Sequence, residues 1–234
     1  AKPPYKCPPA PFETAMILNW WARKKGIRKN IEISVYIPES GPLGVAGKEA
    51  SKRVRNALGQ RGIELVTEAG VVEVSPNGRE ASFADGSSTF ADVISTIPVH
   101  KIPDVVADSG ISQGKPWVPV NSKTLETSIT NIFAIGDVNV IPSGEFAIPK
   151  AGVFASGQGK KVGEIIASQI NQSDTPDPYD GVGLCYLSYS GGRSATVGGK
   201  FLTGSGPETT LSDPTASGKK HKDRFERDWR NFKI

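Results

Sequence analysis

Two cysteines, two histidines and one methionine are spread over 234 residues. Two cysteines are too few for a disulfide framework or a four-ligand zinc site. One pair stays open, Cys7 with Cys185, and it would join the two ends of the chain. His100 follows a strand-like segment and His221 lies in a charged tail, so no metal site is indicated, and Ser, Asp and His show no triad order. No apolar run approaches the roughly 20 residues of a membrane-spanning helix. The opening AKPPYKCPPAP has neither a basic start nor an apolar stretch, so it does not read as a signal peptide. The phosphate-cradling GxGxxG is also missing: GPLGVAG from Gly41 has the spacing GxxGxxG and follows the wrong strand. The 26 glycines and 18 prolines mark many turns, but there is no collagen period, low-complexity block or internal repeat.

What is present is ordinary for a packed protein: 37% hydrophobic and 22% charged residues, enough for a real core and against disorder. The net charge of +4 is local. Residues 217–234 carry seven Lys or Arg against three acids, and the rest is balanced. A neutral body argues against a nucleic-acid surface despite the basic pI.

Periodicity predicts a helix over 12–25, with Pro11 in its first turn and Gly26 as its cap. Ile31 to Ile37 reads as a strand, 48–60 as a helix and 63–67 as a strand. Val71 to Ser75, Ala81 to Phe83 and Ser88 to Phe90 form an antiparallel meander turned by Asn77-Gly78 and Asp85-Gly86. Residues 92–97, DVISTI, read as a further buried strand. That order is the second half of a dinucleotide-fold domain, an α/β arrangement. Extended pieces follow around Trp117 and Val120. TNIFAIGDV reads as a short strand ending in Gly136-Asp137, and a long helix runs from 149 to 170. A polar, Pro-containing linker covers 171–180. Two strands, VGLCYLSYS and RSATVGGKFL, are joined by Gly191-Gly192, and a helical tail closes the chain.

Three sites have chemical potential. A strand ending in Gly-Asp lets the backbone approach a ligand and sets a carboxylate, Asp137, to accept hydrogen bonds from ligand hydroxyls; the plain alternative is an Asp turn. The helix after it opens PKAG and points about half a positive charge at its N-terminus. Lys150 in its first turn adds a full charge, or is simply a surface lysine. In CPPAP, three prolines remove three N–H donors, which makes a poor phosphate cradle. The loop instead offers Cys7 ahead of a helix N-terminus, a position that favours thiolate; the alternative is a buried structural cysteine.

CPPAPFE, IPVH, FAIGDV, IPKAGVF and LCYLSY, in that order, resemble the sulfide:quinone oxidoreductase and flavocytochrome c sulfide dehydrogenase family over nearly the whole chain. The resemblance implies FAD. Gly136 and Asp137 would hold its ribityl and pyrophosphate part, and Lys150, Ala151 and Gly152 would face the ring. It implies that Cys7 and Cys185 form a redox-active disulfide over one side of the flavin, with Glu13 as proton acceptor. Because no GxGxxG is present, the chain is expected to be the C-terminal portion of such an enzyme, lacking the first FAD half and inactive alone. On that basis 1–100 is the second dinucleotide-fold domain with the Cys loop. Residues 101–172 are the returning part of the FAD-binding domain, and 173–234 a small α+β segment with the second cysteine and the basic tail.

The reading that follows is oxidation of sulfide, with electrons passed through FAD to quinone or cytochrome c, at a membrane periphery or in a periplasm. An NADH-type quinone oxidoreductase and a non-catalytic electron-transfer subunit are the alternatives. The Pro-rich loop argues against the first and the cysteine pair against the second. In the tail, Phe225, Trp229 and Phe232 share one helical face over 219–234. That face would either contact an anionic membrane surface or pack back onto the protein.

Overall fold

The computed structural model describes residues 4–203 and 205–231. Helix α1 is Ala10–Lys24 and buries Phe12, Ala15, Met16, Asn19 and Ala22, one stripe at helical spacing. Strand β1, Ser34–Tyr36, pairs in parallel with β2, Glu64–Val66. Between them α2, Gly47–Gly59, turns Ala50, Val54, Ala57 and Leu58 inward. The meander is β3 (Val71–Val74), β4 (Glu80–Phe83) and β5 (Ser88–Phe90), and Tyr36 stacks on Phe83 beneath it. Helix α3 is a short piece, Asp104–Asp108. Strand β6, Val118–Pro119, pairs in parallel with β7, Asn139–Val140, and β8, Pro142–Ser143, turns back on β9, Phe146–Ala147. Helix α4 is Gly152–Asn171. A three-stranded sheet of β10 (Val182–Ser190), β11 (Arg193–Lys200) and β12 (Glu208–Leu211) precedes α5, Ala216–Arg230. Strand β12 and helix α3 have no counterpart in the sequence reading. Among the described residues no helix is long and apolar enough to cross a membrane.

Two clusters make most of the core. One joins α1, β1 and α2 to Leu187, Tyr189, Ala195, Val197 and Leu211 of the C-terminal sheet. The other joins Leu125, Ile141, Phe154 and Val162 to Tyr179 and Phe201. The C-terminal sheet therefore serves both, and Cys185 packs against each. Close packing there depends on glycine. A Cβ on Gly183 would overlap the Phe154 ring, and one on Gly198 would overlap the Gly183 carbonyl.

Three sequence readings are corrected. DVISTI is not a strand, and Val93 is 84% exposed, because no described strand lies beside it to take its backbone bonds. TNIFAIGDV is not a continuous strand either. Ala134 N–H bonds to Leu125 O and Thr127 N–H to Ile132 O, so the segment closes on its own preceding loop, and the paired strand begins after the Gly-Asp turn, at Asn139. Helix α4 starts at Gly152, not 149, since residue 150 is engaged in a parallel bridge with Lys6.

The tail helix docks on the body. Thr215 caps its Gly218 N–H at 2.9 Å and exchanges backbone bonds of 3.0 Å with Ser194. Phe225 lies 5.7 Å from the Tyr186 ring, with Trp229 next to it; Phe232 lies outside the described residues. A Cβ on Gly218 would overlap the Ser194 carbonyl. Helix propensity alone makes Gly218→Ala stabilising by about 1 kcal/mol. The packing instead makes it destabilising by about 1–3 kcal/mol, and urea denaturation with helix content followed by circular dichroism separates the two signs.

Candidate functional site

The Cys7 loop is held in an uncommon conformation. Cys7 has φ +57°, a left-handed geometry costing a non-glycine residue roughly 1–2 kcal/mol, and it stands immediately before a proline. Two backbone bonds hold it there: its N–H donates to Lys150 O at 2.8 Å, and its carbonyl accepts from Ala10 N–H at 2.9 Å. Strain held in this way often marks a functional position. The residue is exposed.

Cys7 does not show the depressed pKa expected of a thiol at a helix N-terminus. Burial of its surroundings and the Glu13 carboxylate push the thiol up, against the Ala10 N–H, Lys222 and Lys6, which pull it down. The prolines explain the outcome: positions 8, 9 and 11 offer no N–H, and Ala10 is the one donor left in the turn. Cys185, half-buried on β10, is pushed up to about 11 by burial and then by the charge of Cys7. Both thiols are free in this structure; the expected disulfide is not formed.

Glu13, on the first turn of α1, faces β10 and α5. Its Oε2 accepts from Ser188 N–H at 2.7 Å, and its Oε1 is paired with Lys222 Nζ. Lys222 also donates to Ser188 Oγ at 2.9 Å, and Ser188 Oγ is 3.3 Å from Ser194 Oγ. The sequence holds no signal for Lys222 as a neighbour of Glu13, since 209 positions separate them.

Asp137 and Lys150 are brought to one cleft. It has a volume of about 350 Å³ and is lined by His100, Lys101, Pro103, Trp117, Asp137, Val138 and Lys150, near the lower end of the roughly 300–1,000 Å³ usual for small-molecule sites. Gly136 has φ +74°, and a Cβ there would sit 3.3 Å from Ala155, so the Gly-Asp turn needs its glycine. Gln158 on α4 accepts from Gly136 N–H at 2.6 Å and from Asn139 Nδ2 at 2.9 Å, fixing the turn to the helix. Asp137 pairs with Lys6 at 3.5 Å, beside Cys7. Ala151 is buried as the N-cap of α4 without a side-chain cap, and Gly152 faces open space.

Lys150 is not the surface lysine of the plain reading, nor part of the helix. It is buried, donates to Asp137 O at 2.7 Å and Asn139 O at 2.8 Å, and lies 3.6 Å from the centroid of the Trp117 ring. Burial lowers its pKa to about 8, only partly opposed by Asp137. Trp117, Asn139 and Gln158 were invisible as site residues in the sequence. A lone Trp, Asn or Gln has no motif, and only the turn that gathers them gives them a role.

These features fit a flavin. The glycine-opened turn with its carboxylate, an uncapped helix N-terminus and a cationic wall suit the ribityl chain and the ring.

Comparison with known proteins is consistent with this geometry. Residues 13–159 match the family model described as pyridine nucleotide-disulphide oxidoreductase. The chain is 25% identical over 151 residues to the mitochondrial sulfide:quinone oxidoreductase of Mus musculus, covering 62% of this chain and 33% of that protein. It is 33% identical over 104 residues to the coenzyme A disulfide reductase of Staphylococcus aureus, covering 44% of this chain and 23% of that protein. The crystal structure of the sulfide:quinone oxidoreductase of Aquifex aeolicus superposes with a TM-score of 0.79 at 22% identity, over 96% of this chain and 55% of that one, a likeness of fold. The chain spans a third or less of the length of these two curated relatives.

Lys150 gives a test of the site's electrostatics. Its folded pKa lies below the ordinary 10.5, so the unfolded chain binds the extra proton between about pH 8 and 10.5 and stability gains with rising pH across that window. Lys150→Arg stays charged throughout. The difference in unfolding free energy, native minus variant, is expected to grow by on the order of 2 kcal/mol from pH 7.5 to 10.5, measured by urea denaturation.

Proposed function

Because the chain belongs to the pyridine nucleotide-disulphide oxidoreductase family, we propose that it carries the thiol pair and part of the flavin cleft of an FAD-dependent enzyme that oxidises sulfide. The observation that carries this reading is the joining of the Cys7 loop to the cleft. Cys7 N–H donates to the backbone carbonyl of Lys150, whose side chain is the cleft's buried cation, and Lys6 is paired with Asp137.

In this reading Asp137 accepts hydrogen bonds from the ribityl hydroxyls. Lys150 and the α4 N-terminus at Ala151 and Gly152 bias the site toward negative charge. When bound, FAD supplies the capacity to take two electrons from the cysteine pair. The pair acts in its oxidised form. Hydrosulfide attacks the Cys185 sulfur, the Cys7–Cys185 bond breaks, a new sulfur–sulfur bond makes a persulfide on Cys185, and Cys7 leaves as thiolate. The leaving sulfur is the one whose thiolate is better stabilised. Cys7 has the Ala10 N–H, Lys222 and Lys6 for this, and Cys185 has no such help. Glu13, with both oxygens engaged, acts through its charge. A bound FAD would supply the route for the two electrons to quinone or cytochrome c; the chain's own part is to hold the persulfide on Cys185 until its outer sulfur leaves as polysulfide or elemental sulfur and the Cys7–Cys185 bond re-forms.

The flavin-loaded protein is expected to bleach near 450 nm on addition of sulfide and not of NADH; the reverse sinks the reading in favour of a nicotinamide-dependent quinone reductase. Cys7→Ser is expected to retain the flavin and lose sulfide-dependent bleaching. Asp137→Ala is expected to weaken flavin retention about tenfold or more, the worth of a charged hydrogen bond, read as flavin-to-protein ratio after dialysis.

A further inference from the structure

The tail helix carries one cation to the first turn of α1, the helix that follows the Cys7 loop. Lys222 reaches from α5 to Glu13 on α1 and to Ser188 Oγ on β10, with Lys222 and Glu13 both largely shielded from solvent. Ser188 N–H holds the other Glu13 oxygen, so three elements far apart in the chain close on a single carboxylate. Such a shielded pair is unlike an exposed surface ion pair, whose worth is about 0–1 kcal/mol; removing one partner leaves the other's charge uncompensated.

We propose that Lys222 is a positioning residue for Cys7. By pairing with Glu13, one short turn of α1 beyond the Cys7 loop, it offsets the carboxylate's charge and sets how readily Cys7 ionises, so that docking of the tail helix determines whether the sulfur is reactive. This rests on the reading of Cys7 as the reacting thiol.

The charges around Cys7 are few and of known sign. Glu13 on α1 opposes the thiolate, and Lys222 on α5 and Lys6 on the loop favour it. Cys185 on β10 and Tyr5, itself beside Glu39, feel the charge of Cys7. Lys222 also has Glu226 at 3.9 Å on its own helix. Glu13 is held in place by Ser188 as well as by Lys222, so loss of Lys222 leaves the negative charge where it stands. The thiol then becomes harder to ionise. Loss of the Glu13 charge acts in the opposite direction, and loss of both nearly cancels. A purely structural Lys222 would have no such signed, reciprocal effect.

The test is the pH dependence of Cys7 alkylation by iodoacetamide in the flavin-loaded, pre-reduced protein, with Cys185→Ser in every form so that one thiol reports. Lys222→Met is expected to raise the alkylation midpoint by about half a pH unit or more. Lys222→Arg is expected to keep the native midpoint, Glu13→Gln to lower it, and the double variant Glu13→Gln with Lys222→Met to return close to the native value. Should Lys222→Met lose the helical signal of α5, Glu13→Gln decides alone, since it leaves Lys222 and the tail helix in place. An unchanged midpoint in a folded Lys222→Met protein, or in Glu13→Gln, overturns the proposal. The readout uses no sulfide. A protein with the signed shifts but no bleaching by sulfide keeps this inference and loses the functional reading; bleaching without the shifts does the converse.

Discussion

Lys150 is bonded to both walls of the cleft. Its carbonyl takes the Cys7 N–H, while its ammonium holds the carbonyls of Asp137 and Asn139 and lies against Trp117. Burying an ammonium ion costs several kcal/mol. Two carbonyl hydrogen bonds and an aromatic face offset only part of that, and the residual cost is visible in a pKa lowered to about 8. The strained Cys7 turn and the Gly-Asp turn both bond to that one residue, which stands just before α4, while Gln158 holds the Gly-Asp turn from the helix side.

The C-terminal sheet is the second shared part. It packs one cluster with α1 and α2 and another with α4, and Cys185 sits where the two meet. The glycines at 183 and 198 allow backbone and ring to approach where any side chain would collide. The surroundings of Cys185 are therefore a consequence of core packing. Burial raises both thiols; Ala10, Lys222 and Lys6 favour ionisation at Cys7 alone.

Much of the fold was legible along the chain. The apolar stripe of α1, the Asn-Gly and Asp-Gly turns of the meander and the Gly191-Gly192 hairpin are local signals, and each element forms where its signal lies. The misreadings have a common cause. DVISTI and NIFAI have strand composition, but a strand exists only with a neighbour, and composition cannot say whether one is alongside. The start of α4 was misplaced because a bridge to Lys6 competes for the backbone of residue 150.

For the site, covalent order drew attention to Cys7, Asp137 and Lys150, since it shows which donors proline removes, where glycine permits a turn and which residue precedes a helix. Cys185 and Glu13 were indicated by the family resemblance alone. Whether Lys150 is exposed or buried, which way the Cys7 pKa moves, and that Lys222 meets Glu13 were decided only by tertiary structure. Burial, desolvation and Coulomb interaction depend on distance in space, and partners 13 or 209 positions apart can leave no mark of it in their own local sequence.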